Sequence, residues 1–188
     1  MAVVQVPHAT YQEFRDAVNG RGFDCDNLYG YQCWDGVDLL YEQSDVGQYL
    51  STANTGLVKN CWLNSSARAS NGSGHFEQIT SVSSIKRGDI IVFNKYSGWY
   101  GSTGHIGFAD EDYNGTQYIK ILSQNFGTGA NPITGKPFNI ASAYLGSAFL
   151  GVFRYKKWNE SPEPPTPTKT KKRHFPFPVA WKYWWGMS

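Results

Sequence analysis

Between Gly22 and Asp35 the chain passes from a run of glycine, aspartate and asparagine into a sequence with helical spacing. That change of character constrains the fold more than any other stretch. Trp34, Val37 and Tyr41, with Leu40 beside them, recur at the interval that puts side chains on one helix face. The spacing predicts an amphipathic helix that begins at or just before Cys33 and runs towards Gln43. A thiol at a helix N-terminus meets unsatisfied backbone N–H groups and the positive end of the macrodipole, and both favour its ionised form. Cys33 is therefore a candidate nucleophile. Ahead of it, Asp24 and Asp26 alternate in the loop and Asp35 follows in the first helical turn. Carboxylates converge in this way on a hard cation. The alternative is a solvated acidic turn in which Asp35 simply complements the helix dipole. Three acids around one tight turn repel unless compensated, which favours the cation.

The rest of the chain supplies a helix before this block and strands after it. Thr10 and Glu13 read as a capping box, Phe14, Ala17 and Val18 as a short apolar stripe, and Gly20 as the stop. A weaker helical or irregular region is expected around residues 48–54. Residues 55–84, rich in Gly, Ser, Asn and Thr, read as loop in which Cys61 and Trp62 pack and His75 is a loop histidine. From Ile85 the pattern turns to β, with strands expected at residues 90–93, 105–109, 118–122 and 149–155. The Asn114-Gly115 pair predicts a tight hairpin between the second and third of them. A loop over residues 127–138 precedes the last strand. Helices first and an antiparallel sheet afterwards is an α+β order. Residues 1–158 form the expected domain, residues 159–170 a Pro/Thr-rich extended linker, and residues 171–188 a basic aromatic tail too short to fold alone.

Composition narrows the function classes. A formal charge of +2 over 188 residues is too weak to argue for nucleic acid. Aromatics at 16%, with seven tryptophans and twelve tyrosines, are high; such surfaces often face carbohydrate or other partly apolar polymers, although aromatics in cores are commoner. The three cysteines are an odd number without metal spacing, so free thiols are the expectation, with a Cys25–Cys61 disulfide left open. No apolar run is long enough to span a bilayer. The start, Met1 to Pro7, has neither a basic segment nor an apolar stretch of signal-peptide type.

His105 follows a glycine-rich loop and opens a strand, and Asn125 closes the next one. A thiol on a helix N-terminus facing an imidazole on a sheet edge, with an amide to orient the ring, would make a Cys-His nucleophilic site. The motifs Gln32-Cys33-Trp34-Asp35, Arg87-Gly88-Asp89-Ile90-Ile91-Val92-Phe93, Gly104-His105-Ile106-Gly107 and Leu122-Ser123-Gln124-Asn125 stand in this order. Together they resemble the CHAP family, the cysteine- and histidine-dependent amidohydrolases/peptidases of bacteriophage endolysins and bacterial wall hydrolases. The likeness runs over residues 10–157. It implies a papain-like α+β fold, with N-terminal helices packed on an antiparallel β-sheet. Cys33 would be the nucleophile, His105 the general base and Asn125 the residue that orients it. Many phage members carry a glutamate two residues before this asparagine, where this chain has Ser123. The imidazole would then have only a neutral partner, and more weight falls on Asn125. Gln32, or the backbone N–H of Cys33, is the candidate oxyanion donor. Ser123 and Gln124 are candidates for contact with the substrate.

By the same resemblance the acidic loop is similar to the calcium site of phage CHAP domains. Asp24, Asp26 and Asp35 would be ligands there, joined by the main-chain carbonyls of Leu28 and Gly30. The function implied is a monomeric endolysin or virion-associated lysin that cuts amide bonds of Gram-positive peptidoglycan. It would be made in the host cytoplasm and released to the wall at lysis. The tail is read either as an idle remnant or as a segment adhering to the wall or a membrane surface. A wall-remodelling bacterial amidase and a non-catalytic wall-binding module are the competing readings.

Overall fold

A computed structural model describes residues 6–43, 50–130 and 133–159. Residues 160–170 of the expected linker, the tail, and residues 48–49 of the expected region at 48–54 lie outside the described residues; residue 159, read as the first of the linker, instead ends the short helix Lys156–Asn159. Helix α1 (Tyr11–Val18) has the capping box read from the sequence: Thr10 Oγ1 accepts from Glu13 N and Glu13 Oε2 accepts from Thr10 N, both at 3.2 Å. Helix α2 (Cys33–Gln43) starts at the cysteine. Its residues Val37, Leu39 and Leu40 are buried in the core.

The region read as loop before Ile85 is more ordered than its composition suggests. It holds two short helices, α3 (Asn60–Leu63) and α4 (Ser65–Asn71), and the strand β1 (Phe76–Ile79). Asn64 caps α4 by accepting from Ala67 N, so the polar residues that read as loop here serve as helix caps. Cys61 and Trp62 do pack, and both are buried.

The sheet has six antiparallel strands, β2 (Ile90–Phe93), β3 (His105–Ala109), β4 (Tyr118–Ser123), β5 (Asn139–Tyr144) and β6 (Phe149–Tyr155) joining β1, in the order β1-β6-β2-β3-β4-β5. The two strands missed by the sequence reading, β1 and β5, are the two edges. Edge strands bury little and need no continuous apolar run, so their sequences carry a weak signal. The Asn114-Gly115 pair does not close a two-residue hairpin. β3 ends at Ala109 and β4 begins at Tyr118, and Asn114 Oδ1 instead accepts from Thr116 N at 3.0 Å within the longer connection. Register is set by the ladder, with Phe108 opposite Leu122 and Ala109 opposite Ile121.

Two apolar layers sandwich the sheet. On one face α1, α2 and α3 supply Phe14, Val37, Leu40 and Cys61 against Ile90, Ile106, Phe108 and Phe153. On the other, Ile85, Tyr100, Phe126 and Leu145 cover Ile91, Phe93, Ile121 and Val152. Trp158 closes the helical side: its ring packs on Tyr11, Phe14 and Phe108, and its Nε1 donates to His8 O at 2.9 Å. Asp89, fully buried, holds β2 to β6 through a two-pronged pair with Arg154, each prong at 2.8 Å. It also accepts from Lys86 N at 2.7 Å, which is why the turn ahead of β2 ends in an aspartate.

Candidate active site

The N-terminus of α2 and the start of β3 meet at a cleft of about 740 Å³. Cys33, His105, Asn125 and Gln32 all line it. The backbone of Ile106, next to His105, faces the Cys33 sulfur and favours its ionised form, so the helix terminus lies against the strand that carries the imidazole. Gly104 lets the chain enter β3 close against its neighbours: at φ +81 it adopts a backbone shape that other residues resist, and a Cβ there would collide with Phe93 O and Lys59.

His105 is buried, with its ring 4.7 Å from that of Phe126 and stacked 5.8 Å from that of Tyr100. Its Nε2 lies 3.0 Å from Ser123 Oγ. That hydroxyl is also 2.8 Å from Ile106 O and 3.1 Å from Gln124 O. A hydroxyl has one proton, and an O···O approach of 2.8 Å is unfavourable without one between the atoms, so giving the proton to a carbonyl is favoured and the oxygen's lone pairs then face the ring. His105 therefore donates from Nε2, and Nδ1 carries the basic lone pair. Ser123 fits there because residue 107 is glycine: a Cβ on Gly107 would come within 2.9 Å of Ser123 Cβ.

The residue that touches the imidazole nitrogen is thus Ser123, read from the sequence as lacking the carboxylate for the task. Asn125 stands beside it with a left-handed backbone (φ +50) and donates from Nδ2 to Gln32 Oε1 at 2.8 Å. Gln32 in turn donates to Tyr29 O, so its amide is held at the cleft mouth between the acidic loop and Asn125. Gln124 is a correction to the sequence reading. It is fully buried and cannot meet a substrate, because its carboxamide is spent on backbone. It accepts from Phe23 N at 2.7 Å and donates to Phe23 O and Gln32 O, both at 2.9 Å. Its work is to tie the end of β4 to the acidic loop.

Burial decides the charge state of the pair. It pulls His105 down to about 3 from its ordinary 6.5 and pushes the Cys33 thiol up to about 11. The N–H groups at the start of α2 do pull the thiol back, as expected, but desolvation is larger and the charge of Asp35 adds to it. Desolvation thus favours the neutral thiol and the neutral imidazole.

Before the thiol, Asp24, Asp26 and Asp35 bring oxygen atoms within 4.8 Å of one another. Asp35 is buried and accepts from Cys25 N at 2.9 Å and Gln32 N at 2.7 Å. Burial, with Asp26 and Asp24 beside it, pushes its carboxyl up to about 6. Asp24 Oδ1 is buried without a hydrogen-bond partner. Leu28 and Gly30 lie on the same loop, where Asn27, Tyr29 and Gly30 all have left-handed φ. An orphaned buried carboxylate oxygen, two further acids and a tightly wound backbone fit a hard oxygen-seeking cation. Cys25, Cys33 and Cys61 are all free thiols.

A thiol on a helix terminus beside an imidazole on the facing strand is the arrangement of cysteine-dependent acyl-transfer sites. The CHAP domain model matches residues 23–125, from the acidic loop through the end of the site, and the chain belongs to this family. A D-alanyl-L-alanine endopeptidase of Streptococcus phage B30 is 30% identical over 153 residues, which are 81% of this chain and 32% of that protein. The chain thus spans about a third of the length of that relative. The crystal structure of the wild-type endolysin LysIME-EF1 superposes with a TM-score of 0.56 at 23% identity, over 77% of this chain and 62% of that one. This likeness shows the α+β, papain-like fold.

Proposed function

We propose that this chain is a peptidoglycan hydrolase that cleaves amide bonds of the bacterial wall through Cys33 and His105. The observation that carries the reading is their meeting in one cleft, with His105 held by Ser123 so that Nδ1 is its base. As the substrate carbonyl approaches, the thiol proton passes to Nδ1 and the sulfur attacks the carbonyl carbon. The tetrahedral oxyanion is met by the backbone N–H of Cys33 or the Gln32 amide. His105 gives its proton to the leaving amine, and a thioester remains. Water, deprotonated by the same nitrogen, then releases the acid and regenerates the thiol. Ser123 and Asn125 act by orientation, the first on the imidazole and the second on Gln32.

Asp24, Asp26 and Asp35, with the carbonyls of Leu28 and Gly30, would hold Ca²⁺. The ion supplies positive charge that offsets their repulsion next to the N-terminus of α2. The name of the phage B30 relative makes a peptide bond of the wall's cross-bridges the first target to test, and the muramoyl–alanine amide the second. Likeness to an endopeptidase and to an endolysin also favours a phage lysin over a bacterial remodelling enzyme. The test is turbidity loss of purified Gram-positive sacculi, followed by mass spectrometry of the released fragments. New amino termini on cross-bridge residues are expected. Walls left intact by the wild-type chain with calcium present would overturn the proposal.

A further inference from the structure

Beside the cleft lies a group of aromatic rings that the catalytic chemistry does not use. The connection between β2 and β3 folds back on itself: Tyr100 N donates to Tyr96 O at 2.8 Å and Tyr96 N to Tyr100 O at 3.2 Å. Tyr100 anchors it, buried, with its ring 4.6 Å from Phe93 and its hydroxyl donating to Tyr144 O at 2.9 Å. The tight turn pushes Trp99 outwards, where it is 38% exposed. It meets Tyr118, 46% exposed, at 5.8 Å and Tyr144 at 6.1 Å, while Tyr118 and Tyr144 lie 5.7 Å apart as a cross-strand pair. Tyr96 stacks on Tyr144 at 4.7 Å. Four rings from three segments thus form one surface, held by backbone bonds rather than by a covering element. Trp99 is at once part of this surface and part of the cleft wall.

The chemistry of the cleft says what would lie there. Among the described residues, no aspartate, glutamate, lysine or arginine lines it. Its polar side chains are neutral: Gln32, Asn125, and the hydroxyls of Thr103, Thr128 and Ser142. Within the cleft a charged partner would find nothing to pair with; the charged side chains of Arg15, Asp110, Glu111 and Lys120 lie in the groove on the other side of Tyr118. A pyranose ring is matched on both counts. Its C–H face carries weak positive charge against the negative face of an aromatic ring, while hydroxyl and acetamido groups at its rim use neutral hydrogen-bonding partners.

We infer that Trp99, with Tyr118 and Tyr144, forms a glycan-binding subsite that stacks an N-acetylhexosamine of the wall's sugar strand and so holds an attached peptide over Cys33. The inference rests on the wall-hydrolase reading for its substrate and goes beyond it in naming a saccharide contact. The platform is prebuilt, so little ordering cost is added on binding.

The test is calorimetric titration of the full-length wild-type chain with chitotetraose, a soluble run of N-acetylglucosamine, beside a glycan-free stem peptide. Trp99→Ala should weaken chitotetraose binding about tenfold, the loss of one good ring contact. Tyr118→Ser should weaken it by a smaller factor, Trp99→Phe should keep most of it, and stem-peptide binding should fall by less than chitotetraose binding in all three. No chitotetraose binding by the parent, no effect of either truncation, or an equal loss for the stem peptide would each overturn the subsite. Sacculus lysis is measured in parallel. Lysis without chitotetraose binding sinks the subsite alone. Binding without lysis sinks the hydrolase reading and leaves the saccharide contact standing.

Discussion

The strand wall of the cleft buries its imidazole among rings, whereas the helix wall hangs its thiol on a loop of like charges. His105 sits between Phe126 and Tyr100 on a strand in the middle of the sheet, with Ser123 fixing its tautomer. Nothing there depends on solution conditions until the ring itself is protonated. Across the cleft, Cys33 opens a helix whose approach is a run of left-handed residues around three carboxylates, one of them with an unpartnered buried oxygen. Gln124 is the rivet between the two, reaching from the end of β4 to the backbone on either side of that loop. One wall is prebuilt by packing. The other is conditional on charge.

The sharpest break in the comparison comes from the proposed nucleophile. Cys33→Ala should reduce sacculus lysis by at least about 10⁴-fold with the melting temperature little changed. Cys25→Ala and Cys61→Ser should keep lysis, the second with lower stability because Cys61 is buried in the core. Retained lysis in Cys33→Ala would end the assignment of the nucleophile.

Cutting the rivet comes next. Gln124→Ala strands the buried N–H of Phe23 and the carbonyls of Phe23 and Gln32, and should cost about 2–4 kcal/mol in denaturant unfolding. Equal stability to wild type would mean that the loop is held by other means.

The conditional wall should respond to calcium. At a hundredfold excess over its dissociation constant the ion should stabilise the fold by about 2.7 kcal/mol. Chelation should lower both melting temperature and lytic rate, magnesium should restore them poorly, and Asp26→Ala should abolish the response. An unchanged melting curve in excess chelator reduces the loop to an ordinary acidic turn.

On the strand wall, Ser123→Ala should lower kcat about tenfold by releasing the imidazole tautomer, with KM little changed. Asn125→Ala should act through Gln32, and its separate loss measures how far oxyanion contact depends on that amide. A larger loss in Asn125→Ala than in Ser123→Ala would return the orienting role to the asparagine.

The last prediction concerns pH dependence, and here the walls should pull in opposite directions. His105 is held down at about 3 against an ordinary 6.5, so its neutral form contributes stability above 6.5 that is lost as pH falls towards 3. Asp35 is held up at about 6 against an ordinary 3.8, so the calcium-free chain should lose stability as pH rises from 3.8 through 6. Urea midpoints measured across this range should show the Asp35 trend unmasked in His105→Gln, and calcium should erase it. Identical profiles with and without calcium would separate Asp35 from the ion.

Local chemistry was legible in the residues themselves. The capping box at Thr10, the start of α2 at Cys33 and the four inner strands follow from short-range rules: a cap satisfies nearby N–H groups, and buried strands need apolar runs. The candidate site's membership was legible for a related reason, since thiol, imidazole and acidic loop each stand in a distinctive local setting. What the residues could not show was which groups touch. The partner of the imidazole turned on a glycine at 107 that leaves room for a serine from the next strand. The pull of the Cys33–His105 pair towards its neutral form turned on desolvation, a property of everything packed around it rather than of the helix terminus alone. Gln124 stands between two functional candidates in sequence, yet just past the end of β4 its side chain is buried against the backbone of Phe23 and Gln32. The edge strands β1 and β5 had no apolar pattern to announce them, because their place depends on partners far along the chain. Contacts made across the sheet are set by register and burial, and neither is contained in any single stretch of the chain.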